Sequence, residues 1–129
     1  MSAAFAALAA LRDHLAEVQG VATCKIGLEA NMTPADYPMV RVVLSDVGGA
    51  ENDLADGRQY GCLVYFGQPI HEFSDGLEAL YESLLDMEEA LVAALGNLAG
   101  ATVIHRETVF DEDRVDAYKL MALRVDVLT

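Results

Sequence analysis

The side chains best suited to catalysis or metal binding are three histidines and two cysteines, and they are scattered along the chain. His14, His71 and His105 share no ligand spacing, and neither Cys24 nor Cys62 lies close enough to them to suggest a site. A structural zinc site needs four grouped ligands, and a catalytic nucleophile needs a neighbouring base and an oxyanion pocket. The sequence therefore predicts no enzyme activity, no metal site and no cofactor, with both cysteines as buried thiols.

Carboxylates are abundant and concentrated in three segments. Residues 75–89 hold six acidic residues and no basic one, whereas residues 46–58 and 111–116 each hold four acidic residues and one arginine. The Gly-rich segment 46–57 lacks the alternating ligands and the terminal Glu of an EF-hand loop, so calcium binding is not expected. Two interpretations remain open. The segments are solvated surfaces that keep the protein soluble, or they meet a basic partner or repel a polyanion.

The net charge limits the classes of partner. The 129-residue chain has a net charge of −13 and a pI near 4.3. Such a surface disfavours direct binding to nucleic acid phosphates and to anionic membranes. No apolar run approaches the roughly 20 residues that a membrane-spanning helix requires. The composition therefore predicts one folded domain over residues 1–129 with no membrane partner.

Apolar residues spaced three and four apart predict two amphipathic helices. The first helix is expected over residues 3–19, with Ser2 as its N-cap. The second is expected to follow Ser74 as its N-cap and to carry Glu78 in its first turn, where the helix dipole favours acids. It should end at Gly96 or Gly100.

Alternating apolar residues predict five strands, over residues 21–30, 39–46, 58–67, 101–110 and 117–128. Pro34 and Pro38 bracket the entry to the second strand, because proline cannot donate to a strand ladder. The acidic segment after that strand is expected to be a flexible loop. The order helix-strand-strand-strand-helix-strand-strand indicates an α+β fold, with a mixed or antiparallel sheet of about five strands and both helices packed on one face.

Three stretches carry a family resemblance. These are "DYP" at residues 36–38, the helix start "FSDGLEAL" at 73–80 and the closing "KLMALRVDVL" at 119–128. With the element order and length, they make the chain resemble the tail terminator proteins of long-tailed (siphovirus- or myovirus-like) bacteriophages or prophages. The resemblance implies a non-enzymatic structural protein at the head-proximal end of the virion tail, made in the cytoplasm of the host bacterium.

The resemblance also implies partners. Six copies would form a hexameric ring that caps the tail tube protein, ends tube polymerisation and offers the head-joining surface to a head-connector or neck protein. DNA would pass through the ring without specific binding, which an acidic lining would favour. The residues expected at partner or pore surfaces are Asp46, Glu51, Asp53, Asp56, Glu78, Glu82, Asp86, Asp111, Glu112 and Asp113. Arg41 and Arg58 are expected in intersubunit ion pairs.

Two other functions remain open from the sequence. The chain could be another neck or tail-completion protein of a phage, monomeric before assembly. Alternatively, it could be a small α+β dimer that binds or converts a small molecule between its sheet and helices. The second alternative needs polar groups on an apolar face, for which Tyr60, Tyr65 and His105 are the candidates.

Overall fold

The described residues form one five-stranded sheet with two helices on one of its faces. The computed structural model describes residues 2–28, 34–49, 58–69, 76–110 and 118–128. The elements in chain order are α1 (Ala3–Ala16), β1 (Thr23–Ile26), a 3-10 turn (Pro34–Asp36), β2 (Met39–Gly49), β3 (Arg58–Pro69), α2 (Leu77–Leu95), β4 (Thr102–Phe110) and β5 (Tyr118–Leu128). This is the predicted α+β order of elements.

The sheet is mixed. Its strand order is β1-β2-β3-β5-β4, in which β1 pairs in parallel with β2 and the other three pairs are antiparallel. Strands β4 and β5 are neighbours in sequence and pair antiparallel, with β5 inside the sheet and β4 at its edge. One edge of the domain therefore carries β1 and the opposite edge carries β4.

Helix α1 begins as the sequence predicts. The Ser2 hydroxyl accepts a hydrogen bond from the Phe5 amide at 3.1 Å, which satisfies one of the free N–H groups of the first turn. The helix ends at Ala16 with Glu17 as its C-cap, three residues before the predicted end. Its buried face consists of Leu8, Leu11 and Leu15.

Helix α2 begins later than predicted. Gly76 occupies the N-cap with φ 104°, a left-handed backbone conformation that glycine adopts without steric cost, and it provides no side-chain cap. The prediction of Ser74 as the cap is therefore wrong, and Ser74 itself lies outside the described residues. Glu78 does lie in the first turn, and the helix ends at Gly96, one of the two predicted positions.

Strands β1 and β2 differ from the prediction in length. Strand β1 covers four residues rather than ten, and Gly27, with φ 89°, follows its last residue. Strand β2 continues to Gly49, past a bulge between Leu44 and Asp46. Asp46 is therefore in a strand paired with β3, as predicted, and residues 47–49 extend that strand into the segment predicted to be a loop.

The core lies between the sheet and the helices. Alternate residues of the central strands point towards the helices, such as Val42, Val64 and Leu123, each 0% exposed. Five residues of α2 pack onto them: Leu80, Leu84, Met87, Leu91 and Leu95. Each fully buried side chain of this size contributes about 1.5–3 kcal/mol, so packing holds the helices to this face. Neither described helix is long and apolar enough to cross a membrane.

Candidate functional site

The most distinctive surface is a row of carboxylates on α2, the acidic ridge, defined as Glu78, Glu82, Asp86 and Glu89. All four side chains are exposed, and no basic residue occurs between Leu77 and Leu95. With about 3.6 residues per turn, they lie on the side of α2 turned away from the sheet. The structure thus brings Glu78, Glu82 and Asp86, all predicted surface residues, onto one continuous face.

A second charged surface lies on the sheet face opposite the helices, here called the helix-free face. Arg106 Nε lies 2.7 Å from Asp126 Oδ2, and Arg124 Nε lies 3.1 Å from Glu107 Oε1. These pairs border a depression of about 410 Å³ that Asp46 also lines. Because positive and negative groups alternate there, the surface has little net charge.

Asp46 reaches this depression because its neighbour on β3 is a glycine. Asp46 is the register partner of Gly61, and its carboxylate occupies the space that a Cβ atom at position 61 would fill. Because Gly61 has no side chain, the Asp46 carboxylate can lie directly over the backbone of β3. Asp46 is exposed, and its assignment to a partner or pore surface stays a prediction.

Arg41 is buried within its own chain rather than displayed for a partner. Its side chain is 0% exposed, and Nη1 donates to Thr23 Oγ1 at 2.9 Å and to Val40 O at 2.8 Å. Thr23 Oγ1 in turn donates to Asp36 O at 2.7 Å. Arg41 thus fastens β1 and the 3-10 turn to β2. In this conformation it does not reach the surface that an intersubunit ion pair requires.

The remaining predicted surface residues lie outside the described residues, entirely or in their side chains. Arg58 begins β3, but its side chain is outside what the structure describes. The other residues outside the described ranges are Glu51, Asp53, Asp56, Asp111, Glu112 and Asp113. Their assignment to partner or pore surfaces stays a prediction.

The structure also joins three polar side chains that the sequence separates. The Thr108 hydroxyl donates to Glu88 Oε1 at 3.0 Å, and His105 Nε2 lies 2.9 Å from the same hydroxyl oxygen. Since a hydroxyl has one proton and Thr108 donates it to Glu88, His105 must donate through Nε2–H. This is the reverse of a nucleophile-base pair, in which histidine accepts the hydroxyl proton. The group fastens α2 to β4, and no sequence spacing indicated it.

The three candidate polar residues do not form a small-molecule site between the sheet and the helices. Tyr60 is 1% exposed and packs in the core, with no hydrogen-bond partner for its hydroxyl among the described residues. His105 is engaged by Thr108, and Tyr65 pairs with Arg41 in register on the helix-free face. The 410 Å³ depression is on that face too, rather than between sheet and helices as the small-molecule alternative requires.

The two cysteines are separate free thiols. Cys62 is buried in the core, and Cys24 is half-buried, with its Sγ donating to Arg12 O at 3.3 Å. Burial is the main reason that the pKa of each thiol rises from 9.0 to about 11. Both thiols are therefore protonated near neutral pH, a state with low nucleophilicity.

Within the described ranges, no group of three or more His, Cys, Asp or Glu side chains is arranged to hold a metal ion. Comparison with known proteins gave no match to a family model and none to a curated sequence.

Proposed function

We propose that this chain is a structural protein of a bacteriophage tail. Six copies of it form a ring on the head-proximal end of the tail tube. The ring ends tube polymerisation and provides the surface that the head connector meets. The proposal combines the sequence resemblance to tail terminator proteins with the surfaces described above, and it involves no catalytic step.

The observation that carries the proposal is the acidic ridge. Glu82 lies four residues from both Glu78 and Asp86, so like charges are neighbours along two turns. Each such pair destabilises a helix by about 0.2–0.5 kcal/mol. One acidic residue near the helix start would be enough to complement the helix dipole. Because the acidic ridge lowers the stability of α2, we infer that its carboxylates act on another molecule rather than in folding.

A passage for DNA gives the ridge such a role. Duplex DNA carries one negative charge per about 1.7 Å of its axis. Carboxylates that face a passage within a Debye length of about 8 Å at physiological salt repel the phosphates. DNA then moves through without adhering to the wall. Each subunit of the ring has a net charge of −13, so every subunit adds to the repulsion of the DNA phosphates.

The test is whether the chain blocks the ends of tail tubes. The tail tube protein of the same phage or prophage is polymerised, the purified chain is added at about one ring per tube, and more tube protein follows. We expect tube lengths in electron micrographs to stop increasing, with extra density at one end. Leu91→Arg, which places a charge in the core at a 0% exposed position, is the unfolded control. Continued elongation with the folded chain present would overturn the proposal.

A further inference from the structure

The flank of the domain that carries β4 has an exposed apolar patch. Glu88 faces β4 through its hydrogen bond to Thr108. Residues one, two and three turns before Glu88 lie on the same side of α2, and they are Leu85, Tyr81 and Leu77. Leu77 is 51% exposed and Leu85 is 43% exposed. One side of α2 therefore presents apolar groups beyond the edge of the sheet.

The end of β4 lies at the same level as this patch. Ser83 of α2 contacts Gln68, and Glu88 contacts Thr108, so α2 runs along the sheet from the Gln68 end. Phe110 pairs with Met121, and Met121 pairs with Phe66, two residues before Gln68 on β3. Along the strand direction, Phe110 therefore lies between the Gln68 contact and the Thr108 contact of α2. Phe110 is 47% exposed. We call Leu77, Tyr81, Leu85 and Phe110 together the β4 flank.

The acidic ridge borders the β4 flank on one side. Glu78 and Glu89 are the two ridge residues nearest to Leu85 around the helix, and Glu82 and Asp86 lie farther from it. All four carboxylates are exposed. The flank thus combines apolar groups with adjacent negative charge.

The opposite edge of the domain has complementary groups. His14 faces α2, since its Nε2 donates to Ala94 O at 2.6 Å. Phe5 and Arg12, two turns apart, lie on the other side of α1, where Cys24 of β1 contacts Arg12 O. Phe5 is 45% exposed, and Lys25 of β1 is also exposed. Arg12 Nε lies 2.9 Å from Asp13 Oδ1, so this edge carries two basic groups and one carboxylate. We call Phe5, Arg12 and Lys25 the β1 flank.

The geometry points to a contact between copies of this chain in which the β4 flank of one subunit packs against the β1 flank of the next. Apolar groups would meet on both sides, with Glu78 and Glu89 facing Arg12 and Lys25. A two-fold contact between β4 flanks would instead place each ridge beside its own copy, and like charges across an interface are unfavourable. A head-to-tail contact of unlike flanks closes into a ring when the rotation fits. The inference rests on the proposed ring and names its subunit contact.

The first experiment compares two substitutions of exposed apolar residues. Leu85→Glu places a charge in the β4 flank, and Val47→Glu is the matched control, 40% exposed and outside both flanks. Solution mass is measured by light scattering over a concentration series, with circular dichroism to verify folding. Rings dissociate on dilution, and we expect Leu85→Glu to raise the midpoint concentration of assembly by about tenfold or more, as for a central interface residue. Val47→Glu should leave that concentration unchanged.

The second experiment tests whether the contact joins two different flanks, head to tail, or two identical flanks. Chains with Phe5→Cys are mixed with chains that carry Leu85→Cys and oxidised by oxidised glutathione, so that two thiols give one disulfide. Disulfides should form between the two kinds of chain and not between identical chains. The unsubstituted chain measures the background, which burial of Cys24 and Cys62 should keep low.

The outcomes separate this contact from the proposed function. Rings that survive Leu85→Glu, or disulfides mainly between two Leu85→Cys chains, would overturn the contact. So would a wild-type chain that remains single at every concentration. None of these results decides whether the wild-type chain caps tail tubes, which the elongation assay measures without any flank variant.

Discussion

Replacing Glu82 with Gln should stabilise the folded chain, although Glu82 makes no contact with the core. Glu82 is exposed, and its neighbours at four residues in each direction are Glu78 and Asp86. Gln has nearly the same helix propensity as Glu, so the substitution mainly removes two repulsive pairs. At about 0.2–0.5 kcal/mol per pair, the free energy of unfolding should rise by about 0.4–1 kcal/mol at low salt.

Urea denaturation followed by circular dichroism measures this change. For an m-value of about 2 kcal/mol/M, the midpoint should move upwards by about 0.2–0.5 M. The experiment is done on dilute samples at several concentrations, because association of folded chains also raises apparent stability. Glu78→Gln is the matched control. It removes one repulsive pair but also a first-turn acid that the helix dipole favours, so its midpoint should change little.

Salt provides a second check on the same variant. The Debye length is about 30 Å at 0.01 M salt and about 3 Å at 1 M. Neighbouring carboxylates on the ridge are about 5–6 Å apart at their Cβ atoms, so 1 M salt should abolish most of the gain. A Glu82→Gln variant that is unchanged or less stable than wild type at low salt would refute the claim that the ridge costs stability.

The core, the hydrogen bond between Thr108 and Glu88, and the two thiols give further predictions. Leu91→Ala removes a 0% exposed side chain and should cost about 2–5 kcal/mol in urea denaturation; a smaller loss would contradict its place in the core. Thr108→Val should cost about 1–3 kcal/mol, and a double-mutant cycle with Glu88→Ala should show coupling; additive effects would contradict the hydrogen bond between Thr108 and Glu88. Because folding raises the pKa of Cys24 and Cys62 from 9.0 to about 11, their contribution to stability is complete below pH 9 and is lost as pH rises towards 11. Alkylation at pH 9 should accordingly be much slower for the folded than for the urea-unfolded chain, and equal rates would contradict the burial.

Local signals in the sequence predicted the elements well. Both helices have apolar residues at spacings of three and four, and these become the buried faces of α1 and α2. Ser2 was identifiable as a cap because a hydroxyl before an apolar-periodic segment satisfies a free amide. Ser74 gave the same signal at the second helix, yet the chain uses Gly76 there. A residue type can indicate a cap, but the backbone conformation selects the position.

Features that depend on distant pairing could not be predicted in this way. The insertion of β5 between β3 and β4 is a property of the register of whole strands, and the alternation within one strand does not encode it. The bulge that places Asp46 opposite Gly61 has the same origin. The burial of Arg41 and its hydrogen bond to Thr23 of a neighbouring strand, 18 residues away, could not be predicted from local spacing either.

The proposed ring and its contact together require a particular dependence on salt. Subunits with a net charge of −13 repel one another over the Debye length, about 30 Å at 0.01 M, so low salt should oppose assembly. At 1 M the Debye length is about 3 Å, which also screens Glu89 from Arg12 across a contact. Near 0.15 M the distant charges are screened at about 8 Å, while ion pairs within 4 Å still attract. Ring formation should therefore be strongest at intermediate salt. A steady increase up to 1 M would mean that apolar packing alone holds the subunits, and the charges of the two flanks would then have no part in their pairing.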